Sequence, residues 1–336
     1  MTPSVERVRW ADQARGLAIL LVICFHAESI AGRFIDVPDL VGAINRFFAP
    51  YRMPVSMFVS GAVVALSVRR PAQRFWTPRL RQVAWPYFLW SGVFLVVAGR
   101  IDMPKTLFAV LLVPPTYLWY LWFLLAYYAV ARTMERLRLP VGMVIMVGWA
   151  ISFLPDVYRI PRFGLLMSMF FLGFAMTVRW GLRLPVPPRP RWSAALAGVV
   201  VLFFGLLSAW RAPVQGVPLL VLVPIAGCVV TVWGLSSLPP SRWLWPLESV
   251  GRHAIVFYVV HFPLIWVVDR ELVRAGIDHG GLVYGVGLAA ALLVAAGLAW
   301  VRGRVSVVDW LFCWGGGASP RVTRAGRPPF QPQGVR

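Results

Sequence analysis

Long apolar runs alternate with short polar, arginine-bearing segments along the whole chain. Ten such runs fall at about 14–31, 47–68, 84–99, 116–132, 141–155, 163–179, 193–210, 217–236, 253–268 and 281–301, each near the length needed to cross ~30 Å of hydrocarbon. The third and fifth are short. This pattern predicts an all-α polytopic membrane protein with about ten transmembrane helices. An even number of crossings puts both termini on one side. Most of the 33 basic residues lie in the segments on that side, and most of the 13 acidic residues lie on the other. Arginine excess marks cytoplasmic loops, so both termini are expected to be cytoplasmic.

The polar segments have their own punctuation. Residues 183–192, RLPVPPRPRW, are too proline-rich for helix. Residues 236–246, SSLPPSRWLWP, read as a second such loop. Residues 315–336, rich in glycine, proline and arginine, have little to bury. They read as a disordered basic cytoplasmic tail, in contact with anionic lipid, behind a membrane domain over 1–314.

Composition agrees with the pattern. The chain is 59% hydrophobic and 14% charged, against about 25% charged for a soluble domain. Mean hydropathy is +0.71. The net charge of +20 is explained by topology and implies no nucleic acid, since no nucleic-acid module is present. Lys105 is the only lysine, an arginine bias typical of GC-rich bacterial genomes. Cys24, Cys228 and Cys313 are isolated, with neither disulfide nor zinc spacing, so no metal is expected.

Candidate chemistry begins in the first run. Arg15 and His26 are eleven residues apart. Eleven steps of 100° fall within about 20° of three full turns, so both lie on one helical stripe, about 16 Å apart along the axis. Asp12 lies one turn before Arg15 and can pair with it. Such a stripe can hold the two ends of an elongated substrate; the alternatives are a topology signal for Arg15 and an interfacial His26. His261, inside the ninth run, is either a binding or proton-relay group or a histidine bonded to a neighbouring helix. Arg52 reads as the outer end of the second run, where it snorkels or meets an anionic acceptor. Arg79 and Arg81, just before the third run, are topology signals or a phosphate clamp. His253 reads as interfacial and His279 as solvated. No P-loop, GxSxG or HExxH motif is present.

Four stretches together resemble the membrane-bound acyltransferase 3 family. DQARGLAILLVICFH at 12–26 contains that family's Arg-x10-His pattern as Arg15 and His26. RMPVSMFVSGAVVAL at 52–66, PRLRQVAWPYFLW at 78–90 and LESVGRHAIVFYVVHFPLIW at 247–266 follow in the family's order. Two positions depart from it. Where the family often has Arg-x-x-Arg, Arg79 is followed three residues later by Gln82, with Arg81 the nearest substitute. After the glycine near the ninth run stand Arg252, His253 and Ala254. The resemblance is to a poorly characterised branch of the family, so it leaves the substrate open.

The resemblance implies an integral membrane O-acyltransferase of the bacterial cytoplasmic membrane. It would move an acyl group, acetyl foremost, from cytoplasmic acyl-CoA to a carbohydrate or lipid-linked acceptor at the outer face. His26 would be the catalytic group, as general base or acyl carrier. Arg15, Arg79 and Arg81 would bind the donor, with Asp12, His261 and Arg52 as secondary candidates. Acyl-CoA enters as co-substrate, with no bound cofactor. The alternative is a transporter or flippase for an anionic or glycan substrate, with the same stripe lining a pathway.

Overall fold

Apolar runs in a bilayer must satisfy their backbone groups internally, and these runs do so as helices. The computed structural model describes residues 8–97, 117–181, 191–212, 214–239 and 241–315. Among the described residues all regular structure is helical. In order come α1 (Arg9–Ala31), α2 (Asp39–Ala65), α3 (Ala72–Arg79) and, after a π-helical turn Leu80–Ala84, α4 (Trp85–Val97). Then follow α5 (Trp119–Leu137), α6 (Val141–Ile151), α7 (Ile160–Trp180), α8 (Arg191–Ala209) and α9 (Leu222–Ser237). α10 (Trp245–Arg252), α11 (Ala254–Arg274), α12 (Gly280–Val301) and α13 (Ser306–Phe312) complete the described chain.

Each of the ten apolar runs falls on a helix. Among the described residues, seven helical stretches are long and apolar enough to cross a membrane, or eight if α10 and α11, bent by 74° at His253, form one span. The other two runs fall short for physical reasons. α5 carries Arg132, Glu135 and Arg136 near its end, and α6 has 11 residues. Residues 182–190 and 316–336, which hold most of the proline-rich linker and the tail, lie outside the described residues.

Prolines shape two central helices without breaking them. α2 starts eight residues before the apolar run at 47 and passes through Pro50 and Pro54. Pro50 cannot donate to the Arg46 carbonyl one turn back. Ser208 of α8 donates to that carbonyl instead, at 2.7 Å. In α11, Pro263 likewise leaves the Val259 carbonyl without its helical donor, and the Tyr117 hydroxyl fills the place at 2.9 Å. These substitutions are what a hydrocarbon environment demands of a proline-containing helix.

Close helix approaches set the rest. A Cβ on Gly61 would lie 1.8 Å from the Phe170 carbonyl oxygen, and one on Gly173 would lie 2.0 Å from that of Phe58. α2 and α7 therefore touch backbone to backbone, as small residues permit. α1 and α10 meet in the same way through Gly16 and Gly251. The main core gathers α1, α2, α5, α7 and α11 around large aromatic side chains. α8 and α12 stand at the periphery and expose Leu202, Phe203 and Leu293, a lipid-facing surface.

Connections between ends fix the order of the bundle. The Arg9 end joins the chain near Glu248, and Arg132 of α5 joins the end of α2 at the Val68 carbonyl. The opposite end joins the loop after α1 to Gly280 and the α2 start to Arg211. Arg15 thus belongs to one end of the bundle and His26 to the other.

Candidate functional site

α1 carries the site because it runs through the centre. It begins at Arg9, buries Ala18, Ile19, Val22 and Ile23 in its middle, and ends at Ala31. Apolar burial on most sides leaves one polar stripe, with Arg15 near its start and His26 near its finish.

At the far end, three rings close on the imidazole of His26. The centroid of His261 lies 5.2 Å away, that of Phe262 5.1 Å and that of Phe25 5.0 Å. His26 keeps solvent-accessible surface within this cluster, while His261 has none. The His261 Nδ1 lies 3.1 Å from the Phe257 carbonyl, one turn back on α11. A carbonyl only accepts, so Nδ1 carries a proton, and in the neutral ring Nε2 carries the lone pair. That Nε2 is buried without a hydrogen-bond partner among the described residues. The stripe on α1 is thus one half of a two-histidine arrangement whose other half comes from a helix more than two hundred residues later.

Aromatic packing fixes the pair. Tyr117 stacks on Phe262 at 4.6 Å and meets His261 edge-on at 5.6 Å. The Tyr258 hydroxyl donates to the Tyr117 carbonyl. Tyr258 also faces Tyr120, whose hydroxyl bonds Ser56 and Ser60 of α2 at 2.9 and 3.0 Å. Ring contacts therefore link the histidines, through Tyr258 and Tyr120, to the hydroxyls of Ser56 and Ser60.

Arg52 is the main correction to the sequence reading. The helix that continues through Pro50 and Pro54 carries it inside the bundle, where it is 5% exposed and cannot snorkel. Its guanidinium lies 4.0 Å from the Phe25 ring centroid and donates to the Asn45 carbonyl at 3.3 Å. Asn45 in turn donates to the Cys24 carbonyl, and the Glu28 carboxylate is close enough to act on the arginine charge. Arg52 thus belongs to the surroundings of His26.

The Arg9 end is built differently. Glu248 of α10 receives Arg9 at 3.1 Å and Gln13 at 2.9 Å, and lies 3.7 Å from Arg252. Arg15 lies only within 4.0 Å of Asp12 and keeps a side chain 29% exposed. Arg79 donates to the Ser67 hydroxyl at 2.8 Å and sits 3.7 Å over Phe75 and 5.0 Å from Tyr128. The charges of Arg79 and, more weakly, Arg15 both reach the Tyr128 phenol. Arg81 lies within the π-helical turn. It is exposed, and its carbonyl receives the Trp314 amide at 3.1 Å.

The structure thus brings Arg15, Asp12 and Arg79 to one end, and His26, His261 and Arg52 to the other, and turns Arg81 aside. Sequence reasoning missed Tyr128 and Glu248. Tyr128 sits in a tyrosine-rich stretch that resembles interfacial anchoring. Glu248 is a lone carboxylate among arginines, a signal that was there to use. No group of three or more histidine, cysteine or acidic residues could hold a metal among the described residues.

Neither the curated proteins nor the solved structures contain a match to the chain. The family model described as an acyltransferase domain, acyltransferase 3, does match, over residues 8–300, a stretch that runs from α1 into the last turn of α12. The chain therefore belongs to the acyltransferase 3 family, and its apolar helices make it a membrane acyltransferase.

Proposed function

We propose that this protein is an O-acyltransferase of the bacterial cytoplasmic membrane that moves an acetyl group from cytoplasmic acetyl-CoA to a hydroxyl of a carbohydrate or lipid-linked acceptor at the outer face. The observation that carries the reading is the pairing of His26 with His261 at the end of α1 opposite Arg15. In this reading both termini are cytoplasmic and the Arg9 end faces the donor.

Arg15 has only the Asp12 carboxylate beside it, at 4.0 Å, and keeps a side chain 29% exposed that can meet the donor's phosphates. Arg79 holds Tyr128 beside it, and Arg81 stays at the mouth. The acyl arm then lies along α1, toward His26, about 16 Å further on. The acceptor hydroxyl oxygen attacks the thioester carbonyl carbon and its proton passes to His26. The C–S bond breaks, and the coenzyme leaves as a thiolate that takes the proton back from His26. The products are the O-acyl acceptor and free coenzyme thiol. His261, locked by Phe257 and Tyr117, holds the His26 ring in place.

Purified protein in lipid nanodiscs, supplied with labelled acetyl-CoA, should release coenzyme thiol and label an added glycan acceptor. Movement of a glycan across the bilayer with the thioester intact would instead identify a flippase and end this reading. Reporter fusions after Arg138 and Arg191 should read cytoplasmic and one after Asp278 outside; an outside signal at Arg191 would break the proposed topology.

A further inference from the structure

The His26 end of the bundle holds a cavity that the acyl-transfer steps do not use. It offers a volume of about 130 Å³. One wall is the proline turn of α2, at Pro50 and Met53; the other is α7, at Leu165 and Leu166. Residues 214–217, in the loop between α8 and α9, form part of the lining.

Three groups give the cavity its chemistry. Trp119, buried apart from 8% of its surface, offers a ring. The Arg162 guanidinium stands 5.5 Å from that ring's centroid, and both Arg162 and Gln215 are exposed. The chain just before α7 takes left-handed backbone angles at Tyr158 and Arg159, with φ of 50° and 65°. Such conformations cost energy in non-glycine residues and gather where a site requires them. The surroundings are cationic, because Arg159 and Arg52 both lie close enough to act on Arg162 or be acted on by it. Asp156 is the carboxylate that partly offsets them.

An aromatic face presents an apolar platform with a polar rim. A guanidinium matches a carboxylate or phosphate in bidentate geometry. An amide serves hydroxyls as donor and acceptor. We infer that this cavity is an anchoring subsite for an anionic sugar, with its ring over Trp119, its carboxylate or phosphate on Arg162 and its hydroxyls on Gln215. Pro50 and Met53 bracket the α2 turn that carries Arg52, so the anchored sugar lies beside the surroundings of His26. That the sugar is part of the acceptor rests on the acyl-transfer reading; that it binds does not.

The test is a binding measurement. Full-length protein in nanodiscs is titrated with methyl β-glucuronide, glucose 1-phosphate and methyl β-glucoside, and bound sugar is read by saturation-transfer NMR. The anionic sugars should bind about ten-fold more tightly than the neutral one. Arg162→Gln, at an exposed position, should bring their affinity down to that of the neutral sugar. Val217→Trp, which fills the lining, should abolish binding of all three while the protein still elutes as a folded species. The carboxylate and phosphate arms then identify the charged group preferred. Equal binding of neutral and anionic sugars, or an Arg162→Gln protein that binds anionic sugars as before, overturns the proposal. If these sugars bind as expected but no acyl group is transferred, the acyl-transfer reading fails and the subsite stands. Transfer without sugar binding here has the reverse meaning.

Discussion

The two ends of α1 handle polarity in opposite ways. At the Arg9 end the charges answer one another: Glu248 receives Arg9 and Gln13 and approaches Arg252, and Arg69 pairs with Glu135 at 2.7 Å. The arginines of these pairs keep exposed or partly exposed side chains, where an ion pair contributes at most about 1 kcal/mol; Glu248 itself is buried and held by its partners. At the His26 end the polar groups are few and are held by rings: His26 among Phe25, His261 and Phe262, and Arg52 over Phe25. A polar group inside a membrane protein is costly to keep and marks function more reliably than one at its rim. The ends therefore differ in what a substitution reports. Changing a rim arginine tests binding, whereas changing a ring-held histidine tests chemistry.

The largest effect should come from the ring-held end. A catalytic base typically contributes about 10²–10⁴-fold in rate. His26→Ala should lower acyl transfer by that order while the protein still inserts and binds acetyl-CoA with near-normal affinity. His261→Ala is the companion variant. Loss of the buried ring leaves a void beside Tyr117 and Phe262, so thermal stability should fall together with rate if His261 positions His26. Turnover and melting temperature, each normalised to folded protein, separate the two. A His26→Ala protein of near-normal turnover would erase the contrast between the ends and make His261 the next candidate base.

The same contrast shows what a sequence can disclose. Arg15 and His26 were legible as a pair because one helix carries both, and helical pitch alone relates them. His261 was visible as an intramembrane histidine. Its position against His26 was not, because helix-to-helix contact depends on how α11 packs, which no local spacing encodes. Arg52 was misplaced for a definable reason: the second apolar run starts only at 47, so Arg52 read as its outer end, whereas α2 begins at Asp39. The structure continues the helix because Ser208 supplies the hydrogen bond that Pro50 cannot. The apolar runs were legible almost throughout, since hydrophobic length is a local property. Their number was less so. Charges near the end of α5 and the shortness of α6 blur the line between a crossing helix and one that merely packs.

A second, smaller effect should arise at the rim. Arg15→Ala should weaken acetyl-CoA binding by about ten- to a hundred-fold, the scale of one or two charge-assisted hydrogen bonds, with a lesser loss of turnover. Arg15→Lys should restore only part of the affinity, because a point charge replaces a planar fork. Donor titration of both variants decides this. If turnover falls while affinity stays constant, the arginine end takes part in chemistry and the two ends are not divided as described.

Smaller again is the effect of the scaffold that holds the rim. A Cβ on Gly251 would lie 1.8 Å from the Asp12 carbonyl oxygen, closer than any real contact, so Gly251→Ala must push α10 away from α1. Overpacking of this kind costs about 1–3 kcal/mol. Melting temperature should fall, and donor affinity should weaken with it, because the shift reaches Asp12 and Arg15. The His26 end, remote from this contact, should respond little. An equal loss at both ends would mean that α1 moves as a rigid rod.

The smallest effect should follow removal of the tail. α13 is tied down by specific contacts: the Trp85 and Trp90 indoles donate to the carbonyls of Trp310 and Leu311 at 2.7 and 3.1 Å. Arg302 meets Asp309 at 3.4 Å, and Phe312 is fully buried. The last of these ties is the Trp314 amide on the Arg81 carbonyl. A chain truncated after Gly315 keeps all of them, so its melting temperature and acyl-transfer rate should stay near those of the intact protein. A chain truncated after Val305 loses them together, exposes the Trp85 and Trp90 faces, and should aggregate or melt several degrees lower. If the shorter cut alone cripples activity, residues beyond Gly315 act on the arginine end, and the rim is then more than a set of mutually paired charges.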